Sequence, residues 1–340
     1  MTSAVVRKIL LILLMAIVFI AITFVLLLEK QMQRPLAISE AQLFTVDKGT
    51  SVSAFAQKLT KQGWIESRFW LRAYARLYPN EVQIKAGTYL VPLNSNLQAI
   101  LELVASGKEH QFQLTFVEGT SFKQWLSQLQ NQPQLTHNLN LLTVEEISKR
   151  LGIEQKNPEG WFFPDTYAFT QGTDELELLK RAYGAMQATL MKLWQDRASG
   201  LPYETPYQAL IMASIIEKET SYLPEQPLIA SVFINRLAKR MRLQTDPTVI
   251  YGLGERYQGD ITRAHLREKT LYNTYRINGL PPTPIAMPGL SAMKAALNPA
   301  SSDYYYFVST GYGRHVFSKT LAQHNAAVKD YLAKQKNKQK

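Results

Sequence analysis

A helix that ends in carboxylates is the first chemical signal in the sequence. Ala209 to Ile216 is apolar almost throughout, and Glu217-Lys218-Glu219-Thr220-Ser221 follows it. A helix that is apolar on every side is buried on every side. Glu217 thus emerges from a buried helix end, where desolvation and the negative pole of the helix dipole both raise a carboxyl pKa. A carboxyl held protonated near neutral pH can act as a general acid toward a glycosidic oxygen. Glu219 is the alternative carboxylate. The same residues also fit a purely structural role, with Glu217 paired at the surface to Lys218 or Lys239.

Two other regions carry groups suited to a sugar. Trp161, Phe162, Phe163 and Tyr167 crowd one short segment around Asp165. Aromatic rings with polar tips pack on the C–H faces of saccharides and still hydrogen-bond their hydroxyls. The competing reading makes these rings core, above all Phe162 and Phe163. Downstream, Gln244-Thr245-Asp246-Pro247-Thr248 and Tyr272-Asn273-Thr274-Tyr275 are dense in hydrogen-bonding groups. The candidate substrate-binding set is therefore Trp161, Phe163, Asp165, Tyr167, Gln244, Asp246, Tyr272, Asn273 and Tyr275.

The elements that must position these groups can be read from caps and periodicity. Thr205-Pro206 starts the Glu217 helix, since threonine caps and proline fits the first turn. Asp174 to Ser199 and Leu228 to Met241 are further helices. From Gln244 onward, Gly, Pro, Tyr and Asn interrupt any long period until a short helix at Ser291–Leu297. A hairpin over Tyr304–Ser318 and a closing helix from Leu321 to Ala333 follow. Nearer the N-terminus, Phe44–Val46, Val52–Leu59, Ser67–Tyr78 and Gly87–Val91 read as strand, helix, helix, strand, and Leu97–Ala105 as a third helix. Phe112–Val117 alternates as a half-buried strand, and Thr143 with Glu146 has capping-box spacing.

Ile9 to Leu28 is an uninterrupted apolar stretch. Twenty helical residues rise about 30 Å, the thickness of the hydrocarbon core. Arg7 and Lys8 on the short side favour a cytoplasmic N-terminus. A cleaved signal would have a shorter apolar core and a small-residue cleavage site, and neither is present. The expectation is an uncleaved single-pass anchor with the globular part on the far side of the membrane from the N-terminus.

The chain has 340 residues and a formal net charge of +11. That surplus suits an acidic polymer, anionic lipid or nucleic acid; the expected topology argues against nucleic acid. Cysteine is absent, which excludes disulfides and thiolate chemistry. The five histidines have no close metal-ligand spacing, so no metal site and no cofactor are expected. The lysine-rich tail 334–340 reads as a solvated, frayed end.

Several long blocks carry a family resemblance: Glu159–Tyr167, Ala213–Thr220, Leu243–Gly252, Tyr272–Ile285 and His315–Asn325. Together they resemble the endolytic murein transglycosylase (YceG-like) family over about Phe44 to Leu332. The chain is expected to be α+β with five parts, of which the resemblance implies the LysM-like and catalytic ones. The five are an anchor at 1–30, a linker at 31–43, a small LysM-like α/β subdomain at 44–108, a mixed α+β catalytic domain at 109–333 and the basic tail. The resemblance places the family's catalytic glutamate on Glu217. It implies peptidoglycan glycan strands as substrate, and peptidoglycan synthases are a candidate partner class. Met287 departs from the pattern, where a polar residue is expected.

A lytic transglycosylase needs only one indispensable carboxyl, unlike the paired carboxylates of ordinary glycosidases. The expected reaction cleaves the MurNAc–GlcNAc bond and leaves 1,6-anhydro-MurNAc ends, ending strand elongation. Asp165 or Asp246 would stabilise charge or merely orient loops. The rival reading is a non-catalytic glycan-binding scaffold of the cell-wall machinery, in which Glu217 is only a hydrogen-bond acceptor.

Overall fold

The computed structural model describes residues 3–338, and its chain divides by contact into two compact units. The first comprises residues 1–112 with 169–171; the second comprises 113–168 with 172–340.

The first unit begins with α1 (Ser3–Met32), whose body is exposed and apolar. Among the described residues it is the one helix long and apolar enough to cross a bilayer, with a mean hydropathy of 3.3. β1 (Gln42–Val46), α2 (Val52–Lys61), α3 (Phe69–Leu77), β2 (Gly87–Val91) and α4 (Leu97–Ser106) follow. The expected order of strand, helix, helix, strand is present. β1 and β2 pair antiparallel, with Phe44 opposite Tyr89. Ser51 and Asn96 cap α2 and α4 through their side chains, and Gly107 ends α4 at φ 70°. Phe44, Phe55, Leu59, Leu71, Tyr89 and Ile100 are fully buried in one core.

The segment 31–43, polar enough in sequence to suggest a linker, is instead built into this core. Met32, Leu36 and Ile38 are buried in it. The Leu36 and Ala37 amides donate to the Ser95 and Trp64 carbonyls at 2.8 and 3.1 Å. Three well-spaced apolar side chains outweigh the polar average of the segment, because burial depends on where each side chain points.

The second unit contains β3 (Phe112–Thr115), α5 (Phe122–Gln130), α6 (Val144–Leu151), β4 (Thr166–Phe169) and α7 (Glu175–Gln195). α8 (Pro206–Glu219), α9 (Gln226–Ala238), α10 (Asp246–Leu253), α11 (Arg263–Arg267) and α12 (Leu290–Leu297) come next. β5 (Tyr306–Ser309), β6 (His315–Ser318) and α13 (Leu321–Lys338) complete it. β3 pairs with β4, and β5 pairs antiparallel with β6 as the expected hairpin. Residues 334–338 continue α13, so the tail is helical where a frayed end was expected; 339–340 lie outside the described residues.

α8 is the centre of this unit. Every residue from Ala209 to Ile216 is buried, and α7, α9, α10 and α12 pack around it. Thr205 caps it by accepting from the Gln208 amide, with Pro206 in the first turn, as its sequence dictates.

Buried carboxylates brace the second unit. Glu175 is fully buried and accepts from the Asn138 and Leu139 amides, both at 3.1 Å, with His137 Nδ1 at 2.8 Å. Glu159 accepts from the Phe122 amide at 2.9 Å and the Tyr251 hydroxyl at 3.1 Å, tying α5 to α10. Its neighbour Gly160 has φ 82°, and a Cβ there would lie 2.4 Å from Pro284. Replacing Glu175 with alanine strands the buried Leu139 amide and removes the partner of the half-buried Asn138 amide. Thermal unfolding should show a loss of about 3 kcal/mol, and an unchanged transition would refute the bracing role.

Candidate active site

Glu217 and Glu219 leave the end of α8 in different directions, because helical residues two positions apart are about 200° apart around the axis. Glu217 lies on the Ser214 side of the helix. Ser214 Oγ accepts from the Ile285 amide at 3.0 Å, and Glu217 Oε2 accepts from the Gly289 amide at 3.0 Å. The segment 285–289 thus runs along this face, and Met287 exchanges backbone hydrogen bonds with Gly119 and Thr120 at 2.8 and 2.9 Å. Burial pushes the Glu217 carboxyl up; the Gly289 bond opposes this, Glu118 adds to it and Lys218 opposes it. Glu118 is packed so closely on Gly289 that a Cβ there would fall 2.2 Å from its carboxyl. Met287 is fully buried, so its side chain makes no groove contact.

Glu219 faces a cavity of about 470 Å³, within the roughly 300–1,000 Å³ range of small-molecule sites. Gln244, Thr245, Asp246, Tyr275 and Arg236 line it beside Glu219, and the β5–β6 hairpin and α13 contribute Tyr306, His315 and His324. The Thr245 hydroxyl donates to Glu219 Oε1. Burial pushes the Glu219 carboxyl up to about 7; the Thr245 bond opposes the rise and the Asp246 charge adds to it. Asp246 Oδ1 accepts from the Tyr275 hydroxyl at 2.7 Å.

The loop carrying these groups is held from behind. The Thr245 amide donates to Thr274 Oγ1 at 3.0 Å, and the Thr248 and Thr274 hydroxyls meet at 2.8 Å. Both Thr248 and Thr274 are fully buried. Gln244 adopts φ 53°, left-handed for a non-glycine residue, and its Oε1 accepts from Arg236 Nη1 at 3.2 Å. Arg236 also donates to the carbonyls of Arg242, Leu243 and Tyr305 at 3.0, 2.9 and 2.6 Å. A fixed guanidinium therefore joins the α9 end, the loop and the hairpin.

Of the residues singled out by sequence, the cavity brings together Gln244, Asp246 and Tyr275. Asn273 is not a ligand-facing group. It is fully buried, and its Nδ2 donates to the carbonyls of His265, Leu266 and Glu268 at 3.1, 3.3 and 2.7 Å. Tyr272 stands behind the loop, its ring 4.8 Å from Tyr251 and its hydroxyl 2.9 Å from Thr283 Oγ1. Trp161 stacks on Tyr207 at 5.4 Å and packs with Phe163 against the α8 core. Tyr167 is buried with its hydroxyl on the Phe163 carbonyl at 2.7 Å. Asp165 is exposed and accepts from the Thr166 amide at 2.7 Å. None of Trp161, Phe163, Asp165 and Tyr167 lines the Glu219 cavity. Sequence reasoning missed Arg236, Thr245, His315 and His324; the one signal for Thr245 was its place between Gln244 and Asp246.

The YceG-like family pattern matches residues 44–330. The chain belongs to this family. A relative named endolytic murein transglycosylase from Bacillus subtilis (strain 168) is 30% identical over 315 residues, covering 86% of this chain and 85% of that protein. One of the same name from Streptococcus pneumoniae (strain D39 / NCTC 7466) is 26% identical over 321 residues, covering 84% of this chain and 58% of that longer protein. A crystal structure of a YceG-like protein from Listeria monocytogenes is 33% identical with a TM-score of 0.55, covering 84% of this chain and 99% of that one. In this YceG-like chain the matched region contains both α8 carboxylates and the whole Glu219 cavity.

Two outcomes follow from this geometry. The Glu219 carboxyl has a folded pKa of about 7 against an ordinary 4.5, so its ionisation favours unfolding. Its contribution is fully present below pH 4.5 and is lost as pH rises through about 7. Glu219→Gln should therefore match the native stability at pH 4.5 and exceed it at pH 8 by about 3 kcal/mol, read by thermal unfolding. Equal melting at both values would place the carboxyl in water. Asn273→Ala should cost about 2–3 kcal/mol of stability, measured by thermal unfolding; a neutral result would return Asn273 to the ligand-binding set.

Proposed function

We propose that this chain is a membrane-anchored peptidoglycan lytic transglycosylase whose acid/base is Glu219. Glu219 takes the role that the family resemblance places on Glu217. The observation that carries this is the placement of the Glu219 carboxyl, raised to about 7 by burial and lining a cavity of mixed polar and apolar walls beside Gln244, Asp246 and Tyr275. Glu217 has the same residue type, but its carboxylate clasps the Gly289 amide. The names of the relatives from Bacillus subtilis and Streptococcus pneumoniae supply the substrate class.

In this reading, protonated Glu219 gives its proton to the oxygen between N-acetylmuramic acid and N-acetylglucosamine. It acts through the carboxyl oxygen that Thr245 does not hold. The C1–O bond breaks and positive charge develops at the muramic C1. Asp246, kept in place by Tyr275, favours that charge. The ionised Glu219 then takes the proton of the C6 hydroxyl of the same sugar, and the C6 oxygen closes on C1. Glu219 ends protonated again, and a 1,6-anhydro end forms without water. The small first unit, with its strand, helix, helix, strand order, serves as a LysM-like glycan holder. α1 keeps both units beside the outer face of the inner membrane, within reach of strands leaving the synthases, so that internal cuts end strand growth.

Mass spectrometry of glycan strands digested by the full chain in detergent tests this. Native protein should yield internal 1,6-anhydro ends, with activity falling as pH rises through about 7. Glu219→Gln should lose about 10²–10⁴-fold, the usual worth of general acid–base catalysis, while Glu217→Gln keeps activity within about tenfold of native. The opposite pattern would return the acid to Glu217. Reducing ends in place of anhydro ends would overturn the ring closure, and binding without cleavage by native protein would make the chain a glycan-binding scaffold.

A further inference from the structure

The junction of α1 with the first unit fixes a second surface. If the hydrocarbon core begins at Ile9, just after Arg7 and Lys8, its thickness of about 30 Å ends near Leu28. The protein core takes over before that point. Leu28 is fully buried, and α1 packs on α3 and α4. Phe24, four residues or about 6 Å earlier, stacks on Trp70 at 6.2 Å and meets Phe69 edge-on at 6.4 Å. Helix α3 is thereby held at the depth where α1 leaves the acyl chains.

The outward face of α3 has two adjoining stripes. Arg68, Arg72 and Arg76 follow one another at intervals of four, all exposed. Among the described residues no carboxylate pairs with any of the three. Phe69 and Leu77, eight residues apart, stand beside them and are 53% and 50% exposed. A shallow groove of about 750 Å³ joins Phe24, Val52, Phe69, Arg72, Arg76 and Leu77. Large apolar side chains beside unpaired arginines are what an interfacial helix presents to an anionic leaflet. The long arginine stems can cover apolar surface while their guanidinium groups reach phosphate.

We propose that α3 rests on the bilayer surface at the C-terminal end of α1. Phe69 and Leu77 enter the boundary between headgroups and acyl chains, and Arg68, Arg72 and Arg76 contact anionic lipid phosphates. The first unit is then seated on the leaflet rather than swinging from a tether, which fixes the height at which its other surfaces stand.

The absence of cysteine allows a direct test. Full-length Leu77→Cys carrying a nitroxide is reconstituted into vesicles of phosphatidylcholine with phosphatidylglycerol, and into pure phosphatidylcholine. Paramagnetic relaxation by oxygen, relative to a water-soluble nickel chelate, reports label depth. The ratio should rise several-fold over nitroxide-labelled free cysteine in buffer when phosphatidylglycerol is present. It should fall in pure phosphatidylcholine, and fall again when Arg68, Arg72 and Arg76 are all glutamine. A label as open to the chelate as the free one, or a ratio indifferent to both the anionic lipid and the arginines, would overturn the proposal. Glycan cleavage is not read in this experiment, so its result is independent of the acid/base assignment.

Discussion

Burial of α8 on every side is the constraint around which the second unit is organised. A helix with no solvent face must be surrounded, and α7, α9, α10 and α12 supply the surround. Its C-terminal turn is where the covering stops, so carboxylates placed there are desolvated without being sealed in. Desolvation is the largest cause of the upward shift at both Glu217 and Glu219. The two differ in what meets them: a backbone amide and a neighbouring carboxylate at Glu217, a threonine hydroxyl and a cavity at Glu219.

The polar loops beside that helix end are stiffened by groups that do not face the cavity. Thr248, Thr274 and Asn273 are fully buried and spend their hydrogen bonds on backbone and on one another. Buried polar groups of this kind are expensive unless satisfied, and when satisfied they specify one conformation. Their satisfaction holds Thr245 and Asp246 in place at the start of α10, and Arg236 fastens the same loop to the hairpin. A site built this way keeps its polar groups fixed before a ligand arrives, which is what electrostatic stabilisation of a developing charge requires.

The first unit follows a different logic. Its core is small, and it gains apolar area by drawing in the last turn of α1 and the segment after it. The anchor and the subdomain therefore share packing, and the depth of one sets the depth of the other. That shared packing also leaves α3 with a face that no other part of the described unit covers.

Much of the architecture is legible in the sequence, because it is written in local rules. Caps at Thr143 and Thr205 act on amides three residues away. The strand order of the first unit, the membrane-length helix and the β5–β6 hairpin follow from periodicity and turns. Short helices such as α10 and α11 were not legible, since eight and five residues are too few to carry a usable period. Nor could a sequence average reveal that Met32, Leu36 and Ile38 point inward. The choice between Glu217 and Glu219 belongs wholly to tertiary structure. Both follow the same buried helix, and local chemistry raises both. Opposite directions from one axis place one against the 285–289 segment and the other in the cavity, and only the packing of distant loops around α8 decides which is which.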